Sequence, residues 1–248
     1  MKDEKIVQLS RMIKTSQRIV FFTGAGASTE SGIPDFRSAD GIYNTNYGRE
    51  VSSEEMISHD FFEAYPKDFY DFYFENLLFP NAEPNSGHYF MAELENEGKE
   101  IDIVTQNIDG LHQKAGSNSV HELHGTTLSY TCTTCGEHYD FDELQLDADG
   151  IPRCTKDQGL VRPDIVLYQE SLPTKAIEDS IQAISGADMV VIAGTSLVVY
   201  PAAGFIQYYS GDKLVVINKS EVTPARAADL SFTDSIGNVV KSLKNYKE

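Results

Sequence analysis

The stretch Arg18 to Arg37, RIVFFTGAGASTESGIPDFR, constrains the fold of this chain more than any other. Ile19, Val20, Phe21 and Phe22 form a continuous apolar run, as a strand covered on both faces requires. The run breaks into Gly24-Ala25-Gly26-Ala27-Ser28. Glycines directly after a buried strand let the backbone approach a ligand, and the amides of a following helix can face a diphosphate. The usual dinucleotide fingerprint has a third glycine where Thr29 stands, so the pattern alone is weak. The continuation does not suit an ordinary dehydrogenase. Ser31-Gly32-Ile33-Pro34-Asp35-Phe36-Arg37 stops the helix after about one turn, because Gly and Pro do not comfortably continue it. Asp35, Phe36 and Arg37 are left in a loop beside the expected ligand. The plainer alternative is a strand-turn-helix followed by a charged loop.

Apolar strands alternate with helices along the rest of the chain. At the N-terminus Ile6, Leu9 and Ile13 share one helical face. Ser38 to Gly48 reads as a polar loop. His59 to Phe79 is dense in aromatics and interrupted at Pro66, which predicts two short helices whose rings form core or, alternatively, wall an apolar channel. Pro84 opens a helix to Gly98 with Tyr89, Phe90 and Leu94 inward. Strands are expected at Ile101–Thr105, Met189–Ala193 and Leu214–Ile217, and helices at Thr174–Ser185, from Pro201 to near Gly211, and at Asp234–Asn245. This is the pattern of a doubly wound, Rossmann-like α/β fold with a mainly parallel sheet. Four strand ends carry polar or Gly-rich tails: Gly24–Ser28, Gln106–Asp109, Gly194–Ser196 and Asn218. Ligands of such sheets sit at the carboxyl ends of strands.

With 248 residues the chain can hold one large α/β domain, or one with a small insert. Twenty basic against 38 acidic residues leave a charge of −18, which argues against nucleic acid and favours basic partners such as lysine-rich segments. No apolar run is long enough for a signal peptide or a membrane span, so a cytoplasmic protein with no membrane partner is expected.

The three cysteines lie between Cys132 and Cys154. Cys132-Thr-Thr-Cys135 is a metal knuckle, and Cys154-Thr-Lys-Asp157 repeats the spacing with a carboxylate in fourth place. Cys132, Cys135, Cys154 and Asp157 are the candidate ligands of one structural zinc ion, with His138 as a spare.

Together these motifs resemble the sirtuin family of NAD-dependent protein deacylases, in its bacterial, single-core form. The resembling segments are GAGASTESGIPDFRS (24–38), TQNIDGLH (105–112), HELHG (121–125), the cysteine segment, RPDIVLYQE (162–170), GTSLVVYPA (194–202) and VIN (216–218). The resemblance implies a Rossmann-like domain from 1–37, 81–127 and 166–248, and a smaller domain of short helices and a zinc-ribbon-like module from 38–80 and 128–165. It implies that Gly24, Ala25, Gly26 and Ser28 hold the NAD diphosphate, and that Ile33, Asp35, Phe36 and Arg37 close over the nicotinamide ribose. Ile33, Asn107, Ile108 and Asp109 match the nicotinamide pocket, Gln106 the ribose, and Ser196 and Asn218 the adenosine half, with Gly194 and Thr195 also among the cofactor-binding residues. Val166 matches a position where acyl-lysine peptide adds as a strand. His124 matches the catalytic histidine, with Asn107 beside it. The implied reaction joins the acyl oxygen to the ribose as nicotinamide leaves, and a histidine base then deprotonates a ribose hydroxyl. His112 and His121 are expected to be structural.

The chain departs from the family pattern at Asp157, the fourth ligand place already noted, and at three further points. Ser38 replaces a common Gly, with little effect expected. Tyr168-Gln169-Glu170 replaces Phe-Gly-Glu, so Gln169 could alter backbone freedom or the acyl-lysine entrance. Family members that favour anionic acyl groups carry Tyr and Arg three apart; Tyr70 could match the Tyr, but Tyr73 stands in the Arg place, which favours acetyl or another neutral acyl group. ADP-ribosyl transfer to protein, and NAD sensing without turnover, are the alternative activities.

Overall fold

The computed structural model describes residues 2–44, 51–224 and 226–246; of the expected loop Ser38–Gly48, residues 45–48 lie outside these. The strands are β1 (Arg18–Thr23), β2 (Glu100–Thr105), β3 (Val120–Glu122), β4 (Gly125–Cys132), β5 (His138–Asp140), β6 (Gln145–Leu146), β7 (Pro152–Arg153), β8 (Val161–Ile165), β9 (Met189–Ala193), β10 (Leu214–Asn218) and β11 (Leu230–Thr233). The helices are α1 (Lys2–Lys14), α2 (Ser53–Met56), α3 (His59–Ala64), α4 (Pro66–Asn76), α5 (Ser86–Asn96), α6 (Leu111–Lys114), α7 (Thr174–Gly186) and α8 (Ile236–Asn245).

The main sheet runs β11-β10-β9-β1-β2-β3, and every neighbouring pair is parallel. Read from the β3 edge, its strands follow the 3-2-1-4-5-6 order of dinucleotide-binding sheets. The order reverses between β1 and β9, which fixes the crevice beyond their carboxyl ends as the place for a ligand. The pleat sends alternate side chains to opposite faces. Ile19 and Phe21, with Ile103, Val191 and Val215, pack with residues of α1, α5 and α8. Val20 and Phe22, with Val104, Ile192 and Val216, pack with α7 and a 3₁₀ segment, Ala202–Tyr208. Both faces are therefore dry, which is why β1, β9 and β10 read as unbroken apolar runs, while β2 is interrupted by the half-buried Asp102.

Several elements differ from expectation. After Gly24 there is no α-helical turn: two 3₁₀ turns, Ala25–Ala27 and Thr29–Ser31, end at Gly32 with φ of 84°. The expected helix from Pro201 is the 3₁₀ segment. In α5 Met91, Ala92 and Leu94 are buried, but Tyr89 is 44% exposed. Leu94 shares its face with the residues three and four before it, Met91 and Phe90, whereas Tyr89 projects from the other side. Short strands β3 and β11 were not foreseen.

The second body of structure joins two inserted segments. α2, α3 and α4 pack on the antiparallel sheet β5-β4-β8, with β6 and β7 as a small ribbon. Its core holds Phe61, Phe62, Phe69, Tyr70, Phe72 and Tyr73 with Tyr130, Cys154 and Val161. Pro66 sits in the first turn of α4, where its missing N–H leaves no bond unmade. Most of the aromatics are thus core, Tyr65 being exposed, and Phe79 reaches the cavity described next. Tyr70 donates to the Val161 carbonyl, and the Tyr73 and Tyr130 hydroxyls lie 3.0 Å apart.

Candidate active site

A cavity of about 640 Å³ opens between the carboxyl ends of the main sheet and the smaller body. That is the size of a site that encloses a small ligand. Gly24, Ala25, Gly26, Ser28, Ile33, Asp35, Phe36 and Arg37 line it, and so do Gln106, Asn107, Ile108, Asp109, His124 and Val166. Gly194, Thr195, Ser196 and Asn218 complete this wall. Four strand ends widely separated in sequence thus meet at one place.

The glycines there have a structural reason of their own. The Gly26 N–H donates to the Gly194 carbonyl at 2.8 Å. A Cβ on Gly26 would stand 2.8 Å from that oxygen, and one on Gly194, at φ +62°, would stand 2.2 Å from the Ala27 nitrogen. The two turns interlock backbone to backbone, which no side chain permits. Ser28 also has internal partners. It is buried, its hydroxyl donates to Asp109 Oδ2 at 2.6 Å, and it accepts from Asn107 Nδ2 at 3.0 Å. Ser28 therefore orients Asn107 and Asp109, a task the sequence did not suggest.

His124 faces this cavity from the end of β3. Its Nδ1 lies 3.0 Å from the Gln106 carbonyl oxygen. That oxygen only accepts, so Nδ1 carries the proton and Nε2 keeps its lone pair. Burial pushes the imidazole below its ordinary value, and the Gln106 carbonyl only partly offsets this. Gln106 is itself placed by Nε2 donation to Thr195 Oγ1 at 3.1 Å. The result is a neutral imidazole of fixed tautomer, poised to accept a proton. His112 and His121 serve structure. His112 Nε2 meets Thr23 Oγ1 at 3.1 Å, and His121 Nε2 meets Asp102 at 2.9 Å.

The Ile33–Asn44 loop is closed on itself. Asp35 Oδ1 accepts the N–H groups of Arg37 and Ser38 at 3.1 and 2.8 Å. Ile42 and Tyr43 donate to the Asp35 and Phe36 carbonyls, each at 2.9 Å. At the opposite end of the cavity Asn218 binds Ser220, and Lys219 reaches Thr29 Oγ1 at 3.1 Å. Tyr168 also lines the cavity, and so do Lys219 and Tyr43, which were not singled out as site residues from sequence. Lys219 was within reach of the strand-end rule, since it follows Asn218 directly.

The ligand atoms of Cys132, Cys135, Cys154 and Asp157 all lie within 4.8 Å of one another. Cys135 Sγ and Cys154 Sγ are 3.6 Å apart, and Cys132 Sγ is 3.5 Å from Asp157 Oδ1. A tetrahedral zinc ion with bonds near 2.3 Å sets its donors ~3.8 Å apart, so this donor set fits zinc. His138 is not among the four; its Nδ1 pairs with Thr131 Oγ1 at 3.0 Å.

The "Sir2 family" model matches residues 24–201. The chain belongs to the Sir2 family. A Clostridium perfringens relative named NAD-dependent protein deacetylase is 53% identical over 96% of this chain and 98% of its own. A solved Sir2 variant with deacetylated p53 peptide and 3'-O-acetyl ADP-ribose superposes with TM-score 0.88 at 36% identity, covering 96% of each chain. A Sir2 complex with p53 peptide and NAD+ gives 0.83 at 37% identity, over 94% of this chain and 95% of the other.

Within the Sir2 pattern Gln169 is the departure with a visible structural effect. Its φ is 77°, a left-handed conformation that suits glycine. The side chain compensates: Oε1 accepts the Asp60 N–H at 3.0 Å and Nε2 donates to Asp60 Oδ2 at 2.8 Å. Next to it the Glu170 carboxylate accepts two hydrogen bonds from the Arg162 guanidinium, at 2.7 and 3.0 Å, and one from the Leu167 N–H at 2.9 Å. Burial pushes the Glu170 carboxyl up, but Arg162, the Leu167 amide and His59 outweigh it and hold it at about 2. We expect Gln169→Gly to change stability by less than ~1 kcal/mol, since relief of about 1 kcal/mol of backbone strain opposes two exposed hydrogen bonds of similar worth. Chemical denaturation checks this, and a loss above ~2 kcal/mol would show the Asp60 clamp to dominate.

Proposed function

We propose that this protein is an NAD-dependent protein-lysine deacetylase, moving the acyl group from lysine to ADP-ribose and releasing nicotinamide. The observation that carries the reading is His124: a neutral imidazole, tautomer fixed by Gln106, facing the cavity where four strand-end segments of a Sir2 chain converge. Bound NAD supplies the ribose carbon that accepts the acyl oxygen. His124 takes the proton of a ribose hydroxyl at Nε2, with Asn107 as the second catalytic group. Gly24, Ala25, Gly26 and Ser28 take the diphosphate side, and Gln106 lies by the ribose. Ile33, Asn107, Ile108 and Asp109 receive the carboxamide; Asn107 gives an amide hydrogen to Ser28 and retains an acceptor and a second donor for it. Asp35, Phe36 and Arg37 close that side, and Gly194, Thr195, Ser196 and Asn218 hold the adenosine. Peptide adds along Val166, a mode that needs exposed backbone. The interlocked glycine turns and the strand-end amides fit a dinucleotide.

We assign residues 1–37, 81–127 and 166–248 to the NAD domain, and 38–80 and 128–165 to the inserted domain with its zinc. The packing cluster of the smaller body, separate from the two on the faces of the main sheet, supports this division. Among the described residues no helix is long and apolar enough to cross a membrane. We place the protein in the cytoplasm, acting on protein or peptide acyl-lysines rather than on nucleic acid or membrane; the charge of −18 supports this.

The acyl group is neutral in this reading. Among the described residues the lysine and arginine side chains lining the cavity are Arg37, 3.7 Å from Glu54, and Lys219, beside Thr29. Tyr70 and Tyr73 are sealed in the core and offer no charge. Purified protein, incubated with acetyl- or succinyl-lysine peptides with and without NAD, is read by mass spectrometry. We expect NAD-dependent deacetylation, with acetyl favoured over succinyl at least about tenfold because a carboxylate left unpaired on burial is costly. ADP-ribose on protein with the peptide still acylated would support a transferase, and no NAD consumption a sensor.

A further inference from the structure

We propose that Tyr168 is a positioning residue whose phenol ties the peptide-binding edge to the Ile33–Asn44 loop through a hydrogen bond to Tyr43. The proposal rests on the deacetylase reading above. The two hydroxyl oxygens are 2.8 Å apart, and both side chains line the cavity. They belong to separate parts of the site. Tyr43 is built into the loop that carries Asp35, Phe36 and Arg37: its ring centroid lies 5.2 Å from that of Phe36, the Arg37 guanidinium sits 5.1 Å above it, and its N–H donates to Phe36. A shift of Tyr43 therefore bears directly on Phe36 and Arg37.

Tyr168 is fixed on the other side. Its N–H donates to the Ile57 carbonyl and its carbonyl accepts from His59 N–H, each at 3.0 Å. Two residues earlier, the Val166 N–H donates to the His124 carbonyl at 2.9 Å. Val166 and Tyr168 both line the cavity, as does the rest of the segment from Ile165 to Glu170. A peptide strand laid along Val166 orders this segment. Tyr168 passes that order to Tyr43, and so to the loop beside the dinucleotide. The two substrates then bind with positive coupling, and linkage makes the effect mutual. The family pattern has Phe at this position, which lacks the oxygen.

The test is affinity for a non-hydrolysable NAD analogue by calorimetry, since NAD itself would turn over once peptide is bound, with and without saturating acetyl-lysine peptide. It compares wild type, Tyr168→Phe, Tyr43→Phe and the double variant; each change removes one oxygen and keeps the ring. With peptide present, we expect each single variant to bind the analogue about fivefold more weakly, as expected for one net hydrogen bond. The double variant should be no weaker than either single one. The factor by which peptide tightens the analogue should shrink in all three, and the analogue should tighten peptide by the same reduced factor. Wild-type affinity for the analogue in Tyr168→Phe, or single effects that multiply in the double variant, would overturn the proposal. A wild-type protein that binds no NAD would overturn the deacetylase reading, and this proposal with it.

Discussion

We expect His124→Ala to lower kcat for deacetylation by about 10²–10⁴-fold, the usual worth of a positioned general base. NAD affinity should change little, because the half-buried imidazole already spends one nitrogen on the Gln106 carbonyl. The pH profile gives a second check. The residue must be neutral to accept a proton, and burial pushes its value down from the ordinary 6.5. The acid limb of kcat/KM should therefore lie below pH 6.5 and vanish in the variant's residual rate. His124→Asn, which cannot take a proton, should match alanine rather than wild type. If either variant kept more than about a tenth of the wild-type rate, the base would have to be another group.

The second large effect concerns zinc. We expect one zinc ion per chain by elemental analysis, and almost none in Cys154→Ser. Cys154 is fully buried in the core cluster that also holds Ile151 and Val161. Loss of the ion thus removes both the cross-link and part of the packing around it. We expect the melting temperature to fall by at least roughly 10 °C, since several kcal/mol shift a chain of this size that far. A strong chelator should reproduce the fall in wild type and have no further effect on the variant. An unchanged melting temperature together with unchanged zinc content would remove Cys154 from the ligand set. Asp157→Ala is the milder case, because three thiolates still converge.

The sheet was legible where strands are buried on both faces. β1, β2, β9 and β10 each show an apolar run followed by glycine or a polar tail, and the strand-end rule then gathers the cavity wall. β3 and β11 escaped because they are short edge strands, of three and four residues, with polar residues among the apolar ones. The 3₁₀ turns after Gly24 escaped for a different reason. The Gly26–Gly194 contact sets their shape, and its partner lies far along the chain. Distance in sequence hid two more features. The internal role of Ser28 was hidden because its buried partners Asn107 and Asp109 lie far along the chain. Tyr43 and Tyr168, 125 positions apart, gave no sign of meeting.

The strand order also bears on how the chain is made. β1 leaves the ribosome early, but its neighbour β9 is encoded far downstream: Ile19 pairs with Met189. At 5–20 residues per second, the apolar edge of β1 waits on the order of ten to thirty seconds for that partner. Through this interval Phe21 and Phe22 have at most β2 beside them. A nascent chain released before Ala193 would display half a sheet with an open hydrophobic edge, a natural client for a holding chaperone.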